Sequence, residues 1–204
     1  MNSSVLTSLT EIEGIKVAWK QLYLSSKTEN PFLCWEWNWL WITSFATKGT
    51  MRVVVVKDEG VIVGIAPFYA QRSDMTFLAD SLFADYMDIL VEKPTANIVD
   101  LIIRKLMEFV DWNRLDLLTI PETSPCHEYF KPVLAKYTIH ASKSIIHMNP
   151  YIDTRGNFNE YLASRSGGIK KELRRTKNKL DKTYGEWEFF EAETEVEKCE
   201  VLDA

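Results

Sequence analysis

The chain has 204 residues, of which 46% are hydrophobic and 12% aromatic, and this content excludes a largely disordered protein. The formal net charge of −5 argues against a general nucleic-acid-binding protein, because such proteins usually carry a basic domain. Cys34, Cys126 and Cys199 have no CxxC spacing, so they predict neither a disulfide framework nor a zinc site.

The N-terminal stretch MNSSVLTSLTEIEGIK lacks the basic and apolar regions of a signal peptide. No apolar run approaches the roughly 18 residues that a transmembrane helix needs. We therefore expect a cytoplasmic protein with reduced thiols and no transmembrane segment. The length suits one domain followed by a linker or by the start of a second domain.

The first part of the chain predicts helices and then a hairpin. We expect a short strand at residues 4–9, one helix at 11–24, a loop through Pro31, and a helix with heavy aromatic loading at 34–46. Residues 51–56 and 61–70 are apolar, β-branched runs around a tight turn, and they predict a β-hairpin.

Shorter elements are expected further along. Strands are predicted at residues 75–78, 86–91, 115–120 and 137–148. Helices are predicted at 95–112, with Thr95 as the N-cap, and at 124–136, where Pro132 should lie near a kink or an end. This order predicts an α/β fold with a mixed sheet flanked by helices.

A long basic helix is predicted over residues 161–182, YLASRSGGIKKELRRTKNKLDK. One side of this helix carries apolar or small residues at i, i+4, i+7 and i+11: Ile169, Leu173, Thr176 and Leu180. From Arg165 to Lys182 there are eight basic residues against two acidic ones, a net of +6. Such a helix either faces an anion or is solvated beside acidic neighbours, and residues 186–203 supply eight acidic residues against one lysine.

After the basic helix we expect a short strand at residues 186–191 and the beginning of another helix. A strand and less than a full helix have nothing to pack on, so we expect the chain to be the amino-terminal part of a longer protein. The predicted organisation is a domain over residues 1–152, a linking helix over 153–183, and the start of a truncated second domain over 184–204.

Three stretches read together carry a family resemblance: NPFLCWEWNWLW at residues 30–41, DYMDIL at 85–90, and YLASRSGGIKKELRRTKNKL at 161–180. The chain resembles the N-terminal half of the CelD/BcsL-type acetyltransferases, which are linked by name to cellulose and exopolysaccharide biosynthesis. Those proteins are similar in architecture to the FemAB peptidyltransferases, with two GNAT-like domains joined by a helix rich in Lys and Arg. The resemblance implies a GNAT-like domain here and a second one further along the full-length protein.

The resemblance also implies acyl transfer from acetyl-CoA, or from aminoacyl-tRNA in the FemAB relatives, to an amine or hydroxyl. A GNAT phosphate loop needs glycines that let backbone N–H groups approach the pyrophosphate at a helix N-terminus. The corresponding residues 92–97, EKPTAN, contain no glycine; Pro94 removes a donor and Glu92 brings the wrong charge. We therefore expect the full-length protein to bind acetyl-CoA in its second domain, and this chain not to bind it.

The candidate acceptor contacts are Asp85, Tyr86 and Asp88. Two carboxylates three residues apart can orient an acceptor sugar or amine, or one of them can act as a general base. The alternative is an acidic turn in which an Asp caps backbone amides. Tyr86 is either a stacking platform for a sugar or an edge-strand aromatic.

Four tryptophans alternate along the second predicted helix: Trp35, Trp37, Trp39 and Trp41. Successive members turn by about 200°, so residues 35 and 39 line one side and residues 37 and 41 another. One pair is expected in the core, and the other can meet the second domain or a ligand. Trp35 is counted among the candidate substrate contacts.

The histidines predict no metal site, because His127, His140 and His147 have no Glu or Cys at a metal spacing. Cys126 beside His127 suggests a nucleophile, but sequence neighbours rarely face each other as a Cys–His pair requires. Residues 166–168, Ser-Gly-Gly, are either a phosphate-binding turn or a flexible approach to the basic helix.

At a seam between two domains, Lys170, Arg174 and Arg175 could face a nucleotide-sugar, a lipid-linked intermediate or CoA phosphates. The leading hypothesis is the acceptor-side domain of a CelD/FemAB-like acyltransferase, inactive without its donor domain. The rival hypothesis is a non-catalytic module that binds a polysaccharide or a partner protein through its Trp-rich and basic helices. A third hypothesis, nucleic-acid binding through the basic helix, is the least consistent with the net negative charge of the chain.

Overall fold

The computed structural model describes residues 1–46, 50–79, 83–110, 112–146, 148, 150, 152–153, 155–188 and 190–203. The chain divides into two compact units, Met1–Met148 and Asn149–Ala204. The boundary expected at residues 152–153 and the truncated second domain stay predictions.

The first unit is built on a mixed sheet of six described strands. They are β1 (Asn2–Leu6), β2 (Met51–Asp58), β3 (Val61–Gln71), β4 (Asp74–Phe77), β5 (Leu90–Val91) and β6 (Arg114–Leu115). The order is β1-β2-β3-β4-β6, and β5 pairs with β3. The β4–β6 pair is parallel, whereas the other pairs among these strands are antiparallel.

Helices cover both faces of this sheet. The described helices of the first unit are α1 (Leu9–Gly14), α2 (Lys16–Ser26), α3 (Trp35–Phe45), α4 (Ala96–Leu106) and α5 (His127–Lys136), and a short 3-10 turn at Pro31–Leu33 precedes α3. α2 packs against β3 and β5, and α4 packs against β1 and β2. Every residue from 51 to 56 in β2 is buried, which requires cover on both faces because strand side chains alternate. The predicted α/β fold with a mixed sheet flanked by helices is confirmed.

The β2–β3 hairpin is formed as predicted. Glu59 and Gly60 have φ values of 47° and 86°. Two consecutive positive φ angles define the type I′ turn, whose twist suits a two-residue hairpin. Further along β3, a Cβ added to Gly64 would lie 3.0 Å from Ile98 Cγ2 of α4, so glycine lets this helix approach the sheet closely.

The prediction of a single helix over residues 11–24 is wrong, because two helices meet at Ile15: α1 ends before it and α2 begins after it. The glycine at position 14 weakens helix propensity at this point. α1 instead begins with a capping box, in which the side chain of Ser8 accepts from the Glu11 N–H and the Glu11 carboxylate accepts from the Ser8 N–H.

The strand predicted at residues 86–91 is reduced to its last two residues. Its earlier backbone groups bond elsewhere: the Met87 N–H donates to the Thr119 carbonyl at 3.3 Å, and the Ile89 N–H donates to the Asp88 carboxylate at 2.8 Å. Residues 115–120 likewise contribute only Leu115 to a strand.

The final strand predicted at residues 137–148 is absent from the described part of that stretch, residues 137–146 and 148. Side chains 140–146 are all exposed, so this stretch buries no apolar face that could hold it on a sheet. Pro132 lies inside α5 and not at its end. His147 lies outside the described residues.

The second unit contains α6 (Phe158–Ser164), α7 (Gly167–Tyr184) and α8 (Glu195–Asp203). The basic helix predicted over residues 161–182 is interrupted at Arg165 and Ser166, which separate α6 from α7. The approach to the helix expected at residues 166–168 is limited to Ser166, because both glycines belong to α7. The strand predicted at 186–191 is not formed by its described members, residues 186–188, 190 and 191. Among the described side chains of this unit, none is buried.

Candidate functional site

One side of α3 belongs to the core. Trp35 is 3% exposed and stacks on Trp39, with ring centroids 5.2 Å apart. It also meets the fully buried Trp19 edge to face at 5.6 Å. Trp35, a candidate substrate contact in the sequence, is therefore placed in the core, where an acceptor does not reach it.

A different side of α3 carries the aromatic row, which we define as Phe32, Trp37, Trp41, Phe45, Phe83 and Tyr86. The three members on α3 are spaced i, i+4 and i+8, so they lie on one side of the helix. Phe32 meets Trp37 at 5.0 Å and Tyr86 at 5.1 Å, both edge to face. Phe45 stacks on Phe83 at 4.6 Å. The row therefore joins α3 to residues 83–86, which the sequence pattern did not predict.

Part of the aromatic row faces solvent. Phe45 is 52% exposed and Phe83 is 45% exposed. The indole Nε1 atoms of Trp37 and Trp41 are shielded from solvent and have no hydrogen-bond partner among the described residues. A buried N–H without an acceptor is costly, so these two enclosed groups would be stabilised by an internal water and are not open to a ligand on the surface.

Asp85 and Tyr86 lie at one end of the row. The Asp85 side chain is exposed, whereas Tyr86 is half-buried against the ring of Phe32. The Tyr86 carbonyl accepts a hydrogen bond from the Asn30 amide at 3.4 Å. Asp85 is therefore an accessible carboxylate one residue before Tyr86, a position suited to contact with a polar acceptor that has an apolar face.

Asp88 points into the protein, with only 5% exposure. Its carboxylate accepts hydrogen bonds from the Ile89 N–H and from the Ser124 side chain. Burial raises the pKa of Asp88 from 3.8 to about 6, and the two hydrogen bonds oppose that rise. Asp88 thus links its own segment to the loop before α5, which corresponds to the amide-capping alternative and places it away from a surface acceptor.

Cys126 is fully buried, and its pKa is raised to about 12 by burial and by the nearby charge of Asp88. A thiol in this state is protonated at neutral pH and is a weak nucleophile. The structure therefore gives no support to a Cys126–His127 nucleophile.

Ionisable groups around Tyr86 were missed in the sequence. The pKa of Tyr23 is raised by burial and further by Cys34, Glu36 and Tyr86, so these groups lie close together. Glu36 forms an ion pair with Lys20, and this hydrogen bond lowers the pKa of Glu36. The sequence could have indicated this group, because Cys34 and Glu36 lie at the start of the Trp-rich helix.

The turn between β5 and α4 does not fit a CoA pyrophosphate. Thr95 caps the helix with its own side chain, which accepts from the Ile98 N–H at 3.3 Å. Pro94 has no N–H to offer, and the exposed Glu92 repels an anion. One N–H group of the helix N-terminus thus already has an acceptor, and the turn lacks the glycines that would let backbone N–H groups surround a phosphate.

The three basic residues predicted to contact a substrate lie on α7 in the second unit. Lys170 is half-buried, whereas Arg174 and Arg175 are exposed. Lys170 donates from Nζ to the Ala163 carbonyl at 3.0 Å, and Arg175 pairs with Glu172 at 2.6 Å. Arg174 has no ion pair within the described ranges. Ser166 is the N-cap of α7 without a side-chain cap, and the two glycines after it belong to the first turn.

Two classes of site have no support in the described part of the chain. No group of three or more His, Cys, Asp or Glu there is arranged to hold a metal ion. No helix of those residues is both long enough and apolar enough to cross a membrane. The first unit is thus defined as a mixed α/β domain with a partly exposed aromatic surface beside a carboxylate.

No family model and no curated protein matches the chain. Among solved structures it is similar to a ribosomal-protein-alanine N-acetyltransferase from Brucella melitensis biovar Abortus 2308, with 14% identity, a TM-score of 0.41, and coverage of 74% of this chain and 100% of that one. It is also similar to an integron cassette protein from the mobile metagenome of V. cholerae, with 15% identity, a TM-score of 0.39, and coverage of 81% and 99%.

Proposed function

We propose that the first unit is the acceptor-side domain of a GNAT-type acyltransferase resembling the CelD/FemAB proteins, and that its acyl donor binds in another domain. The observation that carries the proposal is the exposed Asp85 at the end of the aromatic row. The sequence resemblance supplies the reaction class, transfer of an acyl group from acetyl-CoA to a hydroxyl or amine.

In this proposal the aromatic row and Asp85 bind the acceptor and do not activate the donor. The exposed rings of Phe45 and Phe83 cover its apolar face. Asp85 accepts a hydrogen bond from the hydroxyl or amine that receives the acyl group and so orients it. Asp88 keeps this segment in place from inside.

The absence of a phosphate cradle at the β5–α4 turn supports a donor site outside this unit. Isothermal titration of the 204-residue chain with acetyl-CoA tests this placement. We expect no binding tighter than about millimolar, equivalent to about −4 kcal/mol. Micromolar binding would place the donor site in this chain and overturn the division of roles.

The acceptor site is tested by nitrogen-15 NMR of the tryptophan indole groups. Cellotetraose and UDP-glucose serve as probes of a saccharide and of a nucleotide-sugar. We expect one of them to shift the Trp37 and Trp41 indole N–H signals, while the buried Trp19 signal stays in place because that indole donates to the Leu33 carbonyl at 2.9 Å. Shifts spread evenly over all tryptophans, or none, would count against this surface.

The role of Asp85 is tested in the same titration. Asp85→Asn should weaken binding about tenfold, close to the 1.4 kcal/mol expected for one hydrogen bond to a charged group. Glu122→Gln, also at an exposed carboxylate, is the matched control and should bind as the parent chain does.

A second candidate function is a non-catalytic module that binds a polysaccharide or a protein through the same surface. The exposed stack of Phe45 on Phe83 favours it, because exposed aromatic pairs are common at binding surfaces. In the full-length protein, acetyl-CoA binding with turnover would favour the enzyme, and acceptor binding without turnover would favour the module.

A further inference from the structure

The second unit presents an uncovered helix face. The α7 seam, which we define as Ile169, Leu173, Thr176, Leu180 and Thr183, has alternating spacings of four and three residues along the 18-residue helix. This spacing is typical of a helix that packs against another helix. Yet Ile169 is 44% exposed and Leu173 is 45% exposed. The seam therefore lacks the cover that its pattern indicates.

The charges around the seam are also incompletely paired. Within α7 the ion pairs are Arg175 with Glu172 and Lys177 with Asp181. The other cations of the helix have no ion pair among the described residues: Lys170, Lys171, Arg174, Lys179 and Lys182. An apolar seam beside these cations fits an acidic partner that also offers apolar side chains.

The chain itself contains an acidic segment with exposed apolar side chains, which are spread around α8 and not gathered on one face. The acidic segment, defined as residues 186–203, has eight acidic residues and one lysine, a net charge of −7. Its apolar side chains are uncovered: Phe190 is 60% exposed, Val196 is 69% exposed and Leu202 is 85% exposed. Its ion pair in the described chain is internal, between Lys198 and Glu195 at 2.8 Å.

The contact between α7 and the acidic segment is confined to the last turns of that helix among the described residues. Asp181 accepts from the Trp187 indole at 2.9 Å and pairs with Lys177 at 3.0 Å. Gly185, with φ of 71°, ends the helix. No ion pair joins the α7 cations to residues 186–203 in the part of the chain that the structure describes. Two complementary surfaces are thus open in a single copy.

We propose that two copies of this chain associate by reciprocal exchange, with the α7 seam of each copy receiving the acidic segment of the other. The +6 charge around α7 and the −7 charge of the segment match in sign and size. α7 is about 27 Å long, enough for the nine-residue α8 together with part of the extended chain before it. Pairing of α7 with α7 is disfavoured because two helices of like charge repel each other. The exchange gives a closed two-fold dimer.

Sedimentation velocity of the 204-residue chain tests the association. We expect a dimer at low salt whose dissociation constant rises about tenfold or more between 50 and 500 mM NaCl, because screening weakens exposed charge pairs. A chain that stays monomeric at 50 mM NaCl and about 200 µM protein overturns the proposal.

Two charge-reversed chains distinguish exchange from other modes of association. The first carries Lys171→Glu, Arg174→Glu and Lys182→Glu, and the second carries Glu191→Lys, Glu193→Lys and Glu200→Lys. Each alone should be monomeric, because the charge around α7 falls from +6 to 0 in the first chain and the charge of the acidic segment falls from −7 to −1 in the second, so both contacts of either homodimer lose their attraction. Mixed in equal amounts, they should form a heterodimer weaker than the parent dimer, because the unchanged α7 region of the second chain, at +6, still meets the unchanged acidic segment of the first, at −7. Two monomers in the mixture contradict exchange.

A matched control reverses three exposed lysines of the first unit, Lys93→Glu, Lys131→Glu and Lys143→Glu, and should dimerise as the parent chain does.

Disulfide trapping does not depend on the folding of the reversed chains. Leu173→Cys should cross-link to the native Cys199 of a second copy under mild oxidation, and the added substitution Cys199→Ser should abolish that product. A cross-link found only within one chain overturns exchange.

Discussion

Two helices with similar apolar patterns, α4 and α7, end in different surroundings. α4 buries Ile98, Leu101 and Ile102 against the sheet. α7 buries none of its residues, although it repeats apolar side chains with comparable regularity. An apolar stripe therefore indicates that a helix face is to be covered, but not by what. In the first unit the cover is local to the fold, whereas in the second we look for it in another copy of the chain.

The two units should differ most in how much stability they lose when a large apolar side chain is truncated. Trp35→Ala should lower the free energy of unfolding by about 3–5 kcal/mol, because it leaves a cavity between Trp19 and Trp39. Leu173→Ala in α7 should lower it by less than about 1 kcal/mol in dilute protein, because that side chain is already half exposed. Urea denaturation followed by fluorescence measures both. Equal losses would mean that the seam is covered within one chain.

Asp88 gives the first unit a dependence on pH. Its pKa is raised to about 6, so the folded state binds this proton more tightly than the unfolded chain does. The resulting stabilisation is fully present below about pH 4 and is lost as the pH rises through 6. At about 1.4 kcal/mol for each pKa unit, the ionised group costs up to about 3 kcal/mol at pH 8.

Asp88→Asn removes this titration while keeping an acceptor for the Ile89 N–H. We expect it to raise stability at pH 8 by up to about 3 kcal/mol and to change it little at pH 4. Urea denaturation at both pH values makes the measurement. Asp85→Asn, at the exposed carboxylate of the same segment, should change stability by less than about 0.5 kcal/mol at either pH. A variant less stable than the parent at pH 8 would show that the ionised Asp88 is stabilising.

The close approach of α4 to the sheet is tested at Gly64. Gly64→Val should destabilise the first unit by about 1–3 kcal/mol, because even a Cβ would lie 3.0 Å from Ile98 Cγ2. Gly14→Ala is the matched control, since its Cβ would meet nothing within 4 Å. The control should be neutral or slightly stabilising in urea denaturation. A neutral Gly64→Val would mean that α4 packs more loosely here.

Local chemistry made part of the fold predictable from sequence. The hairpin followed from apolar runs around Glu59 and Gly60, and the start of α4 followed from Thr95 before a periodic stretch. The alternating tryptophans correctly indicated two sides of α3. Each of these features is decided by residues within a few positions of one another.

Long-range contacts decided what the sequence did not predict. Residues 86–89 have an alternating pattern, yet their backbone groups bond to Thr119 and Asn30, so no strand forms there. The same contacts bury Asp88 and leave Asp85 exposed, a distinction that two equivalent carboxylates in a sequence do not reveal. The stack of Phe45 on Phe83 likewise joins segments that no periodicity relates.

The smallest expected effect compares the two helix caps. Thr95 accepts from the Ile98 N–H in the first unit, and Thr194 accepts from the Glu197 N–H at 3.3 Å in the second. Thr95→Ala should lower the free energy of unfolding of the first unit by about 1 kcal/mol, because α4 is part of the core and an N-terminal donor loses its partner. Thr194→Ala should leave that transition unchanged and reduce only helical circular dichroism, because α8 buries no described side chain. A shift of the unfolding midpoint by Thr194→Ala would show that the two units unfold together.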